Sequence, residues 1–243
     1  MVTGASRGIG AATAVLAARQ GYAVCVNYMR NREAAGEVIS RIRKEGGRAI
    51  PIQADIAVES DVERLFKECD VELGTLTALV NNAGILERHM RLDEMDAARL
   101  ERVMTTNIVG SFLCAREAVR RMSTKRGGAG GSIVNVSSAA ARIGSPDEYI
   151  DYAASKGAID TLTLGLSKEV ATEGIRVNAV RPGPIHTDIH ASGGEPERIE
   201  RIKGAVPMKR GGQAEEVAQA ILWLLSDEAS YCTGAILDVA GGR

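Results

Sequence analysis

The strongest constraint on the fold is a regular alternation of short apolar segments with longer helical ones. Continuous apolar character typical of buried strands occurs in seven segments: residues 1–3, 23–28, 49–53, 76–80, 132–136, 176–180 and 236–239. Helical patterns lie between them, at 11–21, 32–44, 60–73, 100–122, 157–170 and 215–225. Strands of this kind are buried on both faces. The pattern therefore predicts an α/β protein with a doubly wound parallel sheet of about seven strands and helices on both faces.

The chain contains no internal repeat, low-complexity tract or linker, so we predict a single domain over residues 1–243. The first apolar segment is short, which suggests that the chain begins inside its first strand. Residues 183–207 form a long segment without regular periodicity beyond the end of a strand. Segments in that position frequently cover a substrate, although a plain surface loop is the alternative.

Composition narrows the class of partner. The net charge is -1 and aromatic residues make up 3%, which argues against nucleic acid or an anionic membrane as a partner. No apolar run is long enough to span a membrane and no signal peptide opens the chain, so we expect a cytoplasmic protein. The four cysteines form no close pair and the three histidines show no metal-ligand spacing, so we predict no metal site.

A glycine-rich turn joins the first strand to the first helix. Its sequence is Gly4-Ala5-Ser6-Arg7-Gly8-Ile9-Gly10. Glycines at such a turn let the backbone approach a pyrophosphate, which then lies on the positive end of the helix. The turn therefore predicts a Rossmann fold that binds a dinucleotide.

Tyr152 and Lys156 form the second chemical feature. Residues four apart project from one face of a helix, close enough to share a ligand. A phenol has an ordinary pKa of about 10, and a neighbouring ammonium lowers that pKa by stabilising the phenolate. The pair thus predicts a tyrosine that gives or takes a proton near neutral pH.

Small or polar residues follow most of the predicted strands, as Asn27, Asp55, Asn81 to Gly84, Ser137-Ser138 and Pro182-Gly183 do. Ligands of open α/β sheets bind beyond the carboxyl ends of the strands. These segments are therefore expected to meet in one site.

Together these motifs resemble the short-chain dehydrogenase/reductase family in its compact single-domain form. The resemblance covers the chain from the glycine turn, through Asn-Asn-Ala-Gly at 81–84, Asn107, Ser137-Ser138 and the Tyr152/Lys156 pair, to Arg-Pro-Gly at 181–183. The sequence is most similar to the sugar- or polyol-dehydrogenase-like and the 3-oxoacyl-reductase-like bacterial members.

The resemblance implies a role for each catalytic residue. Tyr152 would be the general acid or base, and Lys156 would lower its pKa and bind the nicotinamide ribose. Ser138 would orient the substrate oxygen, with Ser137 as the alternative, and Asn107 would support a chain of waters to Lys156.

The predicted cofactor contacts extend along the whole edge of the sheet. They comprise Gly4, Ser6, Arg7, Gly8, Ile9, Gly10, Asn27, Tyr28, Arg30, Asp55, Ile56, Asn81, Ala83, Gly84, Tyr152, Lys156, Pro182, Gly183, Ile185 and Thr187. The second strand ends without the carboxylate that would repel a 2′-phosphate, while Arg7, with Arg30 or Asn31, offers charge-assisted hydrogen bonds. We therefore predict NADP(H) as the preferred cofactor, with NAD(H) possible.

The predicted function is hydride transfer between the nicotinamide and the carbonyl or secondary alcohol of a small polar substrate such as a sugar, polyol or keto compound. A 3-oxoacyl thioester reductase is one alternative, and a non-catalytic regulator that senses NADP(H) is another. The resemblance also implies a homotetramer or homodimer.

Overall fold

The computed structural model describes residues 1–243, and in it helices and parallel strands alternate along the chain. The strands are β1 Val24–Tyr28, β2 Ala49–Gln53, β3 Ala78–Asn81, β4 Gly131–Val136, β5 Ile175–Pro182, β6 Ile185–His186, β7 Gly212–Gln213 and β8 Ile236–Val239. The α-helices are α1 Gly8–Arg19, α2 Arg32–Lys44, α3 Glu59–Leu73, α4 Ala97–Met104, α5 Gly110–Met122, α6 Ala140–Ile143, α7 Ile150–Glu169, α8 Ile189–Ser192, α9 Arg198–Ile202 and α10 Ala214–Leu225.

The main sheet has seven positions, as predicted. Two strands, β2 and β1, pair in parallel on one side, and β3, β4, β5 and β8 pair in parallel on the other. Val2 joins the two groups, because it forms parallel bridges to both Val26 and Val80. The first segment thus occupies the central position although it contributes only an isolated bridge on each side.

Alternate residues of each strand pack into two separate cores. On β1, Val24 and Val26 belong to the core beneath α1, α2 and α10, whereas Cys25 belongs to the core beneath α3 and α5. On β4, Val134 and Ile133 divide in the same way. This alternation follows from the pleat of a strand, and it is why the strands read as continuous apolar runs.

The helix predicted over 100–122 is present but changes its winding in the middle. α4 leads into a π-helical stretch, Thr105–Val109, which continues directly into α5. Asn107 lies within this stretch. Short π-helical insertions occur frequently at functional sites, since they turn side chains out of the normal helical register.

The 183–207 segment is more ordered than the sequence indicates. Instead of an irregular excursion it holds β6, α8 and α9, with a 3-10 turn at Lys203–Ala205. β6 pairs in parallel with β7, so the segment is anchored where it leaves the sheet. Its helices are of four and five residues, too short for a sequence period to reveal them.

Candidate active site

A cavity of about 1210 Å³ runs along the carboxyl ends of the strands, from the glycine turn to the 183–207 segment. The lining includes most of the residues predicted from sequence: Gly4, Ser6, Arg7, Gly8, Ile9, Asn27, Tyr28, Arg30, Asp55, Ile56, Ala83, Gly84, Ser137, Ser138, Tyr152, Lys156, Pro182, Gly183, Ile185 and Thr187. Three predicted residues, Gly10, Asn81 and Asn107, do not line it. The fold thus brings the chemical motifs to one continuous site.

The glycine turn depends on left-handed backbone at two positions. Gly4 has φ +61° and Gly8 has φ +56°, conformations that side chains disfavour. The Gly4 N–H donates to Asn27 Oδ1 at 3.1 Å, and Asn27 Nδ2 donates to the carbonyl of Ala54 at 3.1 Å. The Asn27 side chain therefore ties the turn to the ends of β1 and β2, while α1 begins at Gly8 with no side chain capping its N–H groups.

Gly10 serves packing rather than direct lining. A Cβ at this position would lie 2.6 Å from the Gly4 carbonyl oxygen and 2.5 Å from Asn82 Nδ2. Asn82, which was not among the predicted site residues, donates from Nδ2 to the carbonyls of Thr3 and Gly4, at 2.9 and 3.1 Å. Asn82 also lines the cavity, so it is the asparagine of the 81–84 motif that faces the site.

Asn81 lies on the other side of β3, inside the protein. It donates from Nδ2 to the Ser111 carbonyl and to Asn135 Oδ1, both at 3.1 Å. Successive residues of a strand point to opposite faces, which explains why only one member of the Asn81-Asn82 pair reaches the cavity.

Tyr152 and Lys156 lie one turn apart on α7, as predicted. Lys156 Nζ lies 5.5 Å from the centroid of the Tyr152 ring and donates to the carbonyl of Val136 at 2.8 Å. Lys156 is 4% exposed, and this burial lowers the pKa of its ammonium to about 8, although the charge of Asp160 opposes the shift. Both side chains line the cavity.

The pKa of Tyr152 does not shift in the expected direction in the protein alone. Burial raises it, while the neighbouring Ser138 hydroxyl and the charge of Arg198 act against that rise. Lys156 is not among the groups that shift this pKa, and its ammonium donates to the Val136 carbonyl instead of the phenol.

The two adjacent serines have different surroundings. Ser137 is buried and its Oγ donates to the carbonyl of Lys156 at 3.1 Å, which fastens β4 to α7. Ser138 is partly exposed to the cavity, and its Oγ accepts from the N–H of Ala140 at 3.1 Å. Of the two, Ser138 is the one whose hydroxyl acts on Tyr152.

Asn107 is 0% exposed and holds the backbone beside Lys156. Its Oδ1 accepts from the Ile85 N–H at 2.8 Å, and its Nδ2 donates to the Ile85 carbonyl and to Ser155 Oγ, both at 3.0 Å. A Cβ at Gly84 would lie 3.3 Å from Asn107 Oδ1 and 3.4 Å from Lys156 Nζ. Asn107 is therefore next to the lysine without facing the cavity.

A buried ion pair at the start of α7 was not predicted from the sequence. Arg99 Nε donates to Asp151 Oδ2 at 2.8 Å, with side chains 5% and 1% exposed. Arg99 also donates to the Arg88 carbonyl at 2.6 Å, and Asp151 Oδ1 accepts from the N–H of Tyr152 at 2.9 Å. No local sequence signal links residues 52 positions apart, because the pair exists only once α4 and α7 pack together.

At the opposite end of the cavity, Arg7 and Arg30 are exposed. Arg7 lies 3.5 Å from Ser192 Oγ, and Arg30 forms no ion pair. Asn31, which was predicted as an alternative to Arg30 for binding the phosphate, instead caps α2. Its side chain accepts from the Ala34 N–H at 2.9 Å. Asp55 lines the cavity, and its Oδ1 accepts from the Ala57 N–H at 2.9 Å.

The glycine turn and the 183–207 segment meet across the cavity. A Cβ at Gly8 would lie 3.2 Å from Thr187 Cγ2, and one at Gly183 would lie 2.7 Å from Ala240 Cα. Three features fit a dinucleotide: a glycine turn without bulky side chains, free N–H groups at the start of α1, and exposed guanidinium groups. The residues present therefore suit the predicted cofactor.

None of the helices has the length and apolar character needed to cross a bilayer. Histidine, cysteine, aspartate and glutamate side chains form no group of three that could hold a metal ion. His190 is buried in α8, and its Nε2 lies 2.9 Å from the Ile185 carbonyl oxygen.

Comparison with known proteins supports this description. A family model described as Enoyl-(Acyl carrier protein) reductase matches residues 4–243. The chain is 61% identical to the uncharacterized oxidoreductase YgfF of Escherichia coli K12 over 243 residues, which cover 100% of the chain and 98% of the relative. It is 38% identical to the 3-oxoacyl-[acyl-carrier-protein] reductase FabG of Staphylococcus aureus Mu50, covering 100% and 96%. It is 37% identical to glucose 1-dehydrogenase 2 of Bacillus subtilis 168, covering 100% and 93%.

A crystal structure of a dehydrogenase/reductase from Sinorhizobium meliloti 1021 superposes with a TM-score of 0.91. The two sequences are 34% identical, and the match covers 99% of this chain and 92% of the other. The chain therefore belongs to the short-chain dehydrogenase/reductase family, whose members are oxidoreductases that act with NAD(P) on CH–OH and C=O groups.

Proposed function

We propose that the protein is an NADP(H)-dependent carbonyl reductase or alcohol dehydrogenase acting on a small polar substrate. The observation that carries this proposal is the position of Tyr152 and Lys156, one turn apart on α7, in the wall of the cavity that also contains the glycine turn. In reduction, Tyr152 gives its phenolic proton to the substrate carbonyl oxygen, and in oxidation it takes that proton back. The cofactor supplies or accepts the hydride.

Lys156 and Ser138 prepare Tyr152 for this task. An ammonium with a pKa of about 8 remains mostly charged at neutral pH, so it can bind ribose hydroxyls and stabilise the phenolate. The Ser138 hydroxyl already opposes the rise in the Tyr152 pKa, and it lines the cavity, where we propose that it orients the substrate oxygen. Asn107 keeps the Ile85 backbone and Ser155 in place around the lysine, which supports its role in proton supply.

NADP(H) preference is supported by the charges around the start of α1 and the end of β1. Arg7 and Arg30 line the cavity without carboxylate partners. No acidic residue follows β1 directly: the chain continues with Met29, Arg30 and Asn31 before Glu33. A 2′-phosphate would meet two guanidinium groups there and no repelling carboxylate.

The similarity to FabG makes a 3-oxoacyl thioester reductase the second candidate. A carrier-protein partner would require a free basic rim. Several arginines that could form one are already paired: Arg91 with Asp147 and Asp93, Arg120 with Glu117, and Arg121 with Asp70. Arg88 and Arg126 form no ion pair, so the unpaired basic rim is small, and this favours a free small molecule over a carrier-bound substrate.

The assembly we propose is a homotetramer, with a homodimer as the alternative. Exposed apolar side chains support this assembly: Val109 at the end of the π-helical stretch, Phe112 on α5 and Leu164 on α7. Further exposed apolar side chains lie at Trp223 and Leu237. A second copy that covers such side chains would gain the free energy of burying them.

The test compares wild-type protein with Tyr152→Phe on a panel of small carbonyl compounds, followed through the loss of NADPH absorbance. We expect turnover by the wild type and a loss on the order of 10² to 10⁴-fold in the variant, with NADPH affinity retained. A variant that keeps most of the turnover would remove Tyr152 from the mechanism. A wild type that binds NADPH and turns over no compound would favour the sensing regulator.

A further inference from the structure

One end of the cavity is formed by the 183–207 segment, and we call it the substrate end. Arg198 is a cation at this end, and the family resemblance does not account for it. It lies on α9 in the 183–207 segment and lines the cavity together with Ser138, Ser145 and Tyr152. Its side chain is 15% exposed, and its guanidinium carbon lies 4.8 Å from the centroid of the Tyr149 ring. Its charge also acts on the Tyr152 phenol. Arg198 is therefore close to the residue that we propose to handle the proton.

Most of the hydrogen-bonding capacity of Arg198 is unused. Its one hydrogen bond is donated from Nη2 to Glu148. Its Nε is buried without a hydrogen-bond partner, and Nη1 donates to no protein acceptor. A planar guanidinium with free donors is well suited to a carboxylate, which it can bind through two parallel hydrogen bonds.

Arg198 shares its two neighbouring carboxylates, Glu148 and Glu195, with Arg201. Glu148 is shared, because it also accepts from Arg201 Nη2 at 2.7 Å. Glu195 accepts from Arg201 at 2.5 and 2.9 Å and lies 3.8 Å from Arg198 Nε, beyond hydrogen-bond distance. Glu195 is therefore bound mainly by Arg201, whereas Glu148 is divided between the two arginines.

We propose that Arg198 binds a carboxylate carried by the substrate, so that the substrate class is an oxo acid or the corresponding hydroxy acid. This inference rests on the proposed function and names the substrate class of that site. The partly desolvated guanidinium fixes the carboxylate end, and Ser138 and Tyr152 receive the carbonyl oxygen. Arg198 thereby selects the substrate and orients its carbonyl without taking part in the proton transfer.

A purely structural role is the competing explanation, since Arg198 also helps to hold the 183–207 segment. Arg201 offers a matched control: it belongs to the same ion cluster, is 52% exposed and does not line the cavity. A structural role predicts that Arg198→Met and Arg201→Met affect all substrates alike. A substrate-binding role predicts that only Arg198→Met affects acids more than neutral analogues.

The experiment measures kcat/KM with NADPH for short oxo acids, with the carboxylate at different distances from the carbonyl, each beside its methyl ester. For the best acid we expect Arg198→Met to lower kcat/KM on the order of ten to a hundred times more than for its ester. Arg198→Lys should keep part of the acid preference, and Arg201→Met should keep all of it. Equal losses for acid and ester, or a wild type that prefers esters, would overturn the proposal.

A second measurement separates this inference from the proposed function. Calorimetric titration with glutarate, a dicarboxylate without a reactive carbonyl, requires no turnover. Binding to the wild type and to Arg201→Met that weakens at least tenfold in Arg198→Met supports the carboxylate site even if no carbonyl compound is reduced. Failure of the wild type to bind glutarate, combined with equal handling of acids and esters, would reject the carboxylate site while leaving reductase activity intact.

Discussion

The two ends of the cavity are held in place by different kinds of interaction. Around the glycine turn, the buried amide of Asn27 and the half-buried amide of Asn82 bond to backbone groups of neighbouring strands, and Gly10 has no room for a Cβ. In the 183–207 segment, short helices are held by ion pairs of partly exposed side chains, including those of Glu148 and Arg201. Buried hydrogen bonds and close packing contribute more to stability than exposed ion pairs do. The comparison predicts a rigid glycine-turn end, where we propose that the cofactor binds. The end formed by the 183–207 segment, where we propose that the substrate binds, should be more adaptable.

The largest expected effect that tests this contrast is that of Lys156→Met. We expect turnover to fall on the order of 10² to 10⁴-fold, because the phenolate and ribose lose their cation. The same substitution should stabilise the cofactor-free protein. Its free energy of unfolding at neutral pH should rise by about 2 kcal/mol, since a buried ammonium is removed.

The pH dependence checks the cause of that gain. Burial lowers the pKa of Lys156 from 10.5 to about 8, so below pH 8 the folded state carries a desolvated charge. Between pH 8 and 10.5 the folded wild type loses this proton before the unfolded chain does, and its stability rises relative to the variant. Urea unfolding should therefore show the advantage of Lys156→Met at neutral pH and its disappearance near pH 10.5. A difference that stays constant across this range would contradict burial as the cause.

The next effect concerns the close packing at Gly10. In Gly10→Ala, the added Cβ would collide with the Gly4 carbonyl and Asn82, so we expect a loss of about 1–3 kcal/mol in unfolding free energy and weaker NADPH binding. Gly36 on α2 has open space around it, and Gly36→Ala should stabilise the protein by about 0.5–1 kcal/mol. Thermal unfolding and NADPH titration of both variants measure the contrast. Similar results for the two glycines would show that packing at the turn is not rigid.

A smaller effect is expected at the exposed rim of the cofactor end. Arg7→Ala and Arg30→Ala should each weaken NADPH binding about three- to tenfold while leaving NADH binding nearly unchanged, because only NADPH carries the 2′-phosphate. Arg32→Ala is the control, since Arg32 is exposed on α2 and does not line the cavity. Fluorescence titration with both cofactors gives the ratio of the dissociation constants for NADPH and NADH in each variant. Equal losses of affinity for NADPH and NADH would contradict the proposal that Arg7 and Arg30 bind the 2′-phosphate.

The smallest expected effect lies in the 183–207 segment. Glu148→Gln removes the negative charge shared by Arg198 and Arg201 but keeps an oxygen that can accept a hydrogen bond. We therefore expect the free energy of global unfolding to fall by about 1 kcal/mol or less. Protease cleavage within the segment should become faster, because its local anchoring is weaker. Limited proteolysis followed by mass spectrometry locates the cut. A global loss well above 1 kcal/mol would show that this end is as rigid as the other.

The sequence predicts the first region far better than the second, for a physical reason. The sheet, its strand alternation and the glycine turn rest on local signals, namely apolar runs, helical periods and backbone freedom at Gly4 and Gly8. The function of Asn81 and Asn82 depends on which face of β3 each side chain takes, and the motif alone does not reveal it. Arg198 and its acidic partners come together only through the packing of short helices, so no spacing in the sequence marks them.

The buried pair of Arg99 and Asp151 has a consequence for genetic studies. It joins α4 to the first turn of the helix that carries Tyr152 and Lys156, and loss of either partner leaves an uncompensated charge in the interior. In a random mutagenesis screen for inactive clones, substitutions at Arg99 should therefore be recovered as often as those in the motifs, but as poorly accumulating protein. Immunoblotting of the clones would separate these misfolded variants from stable, inactive ones.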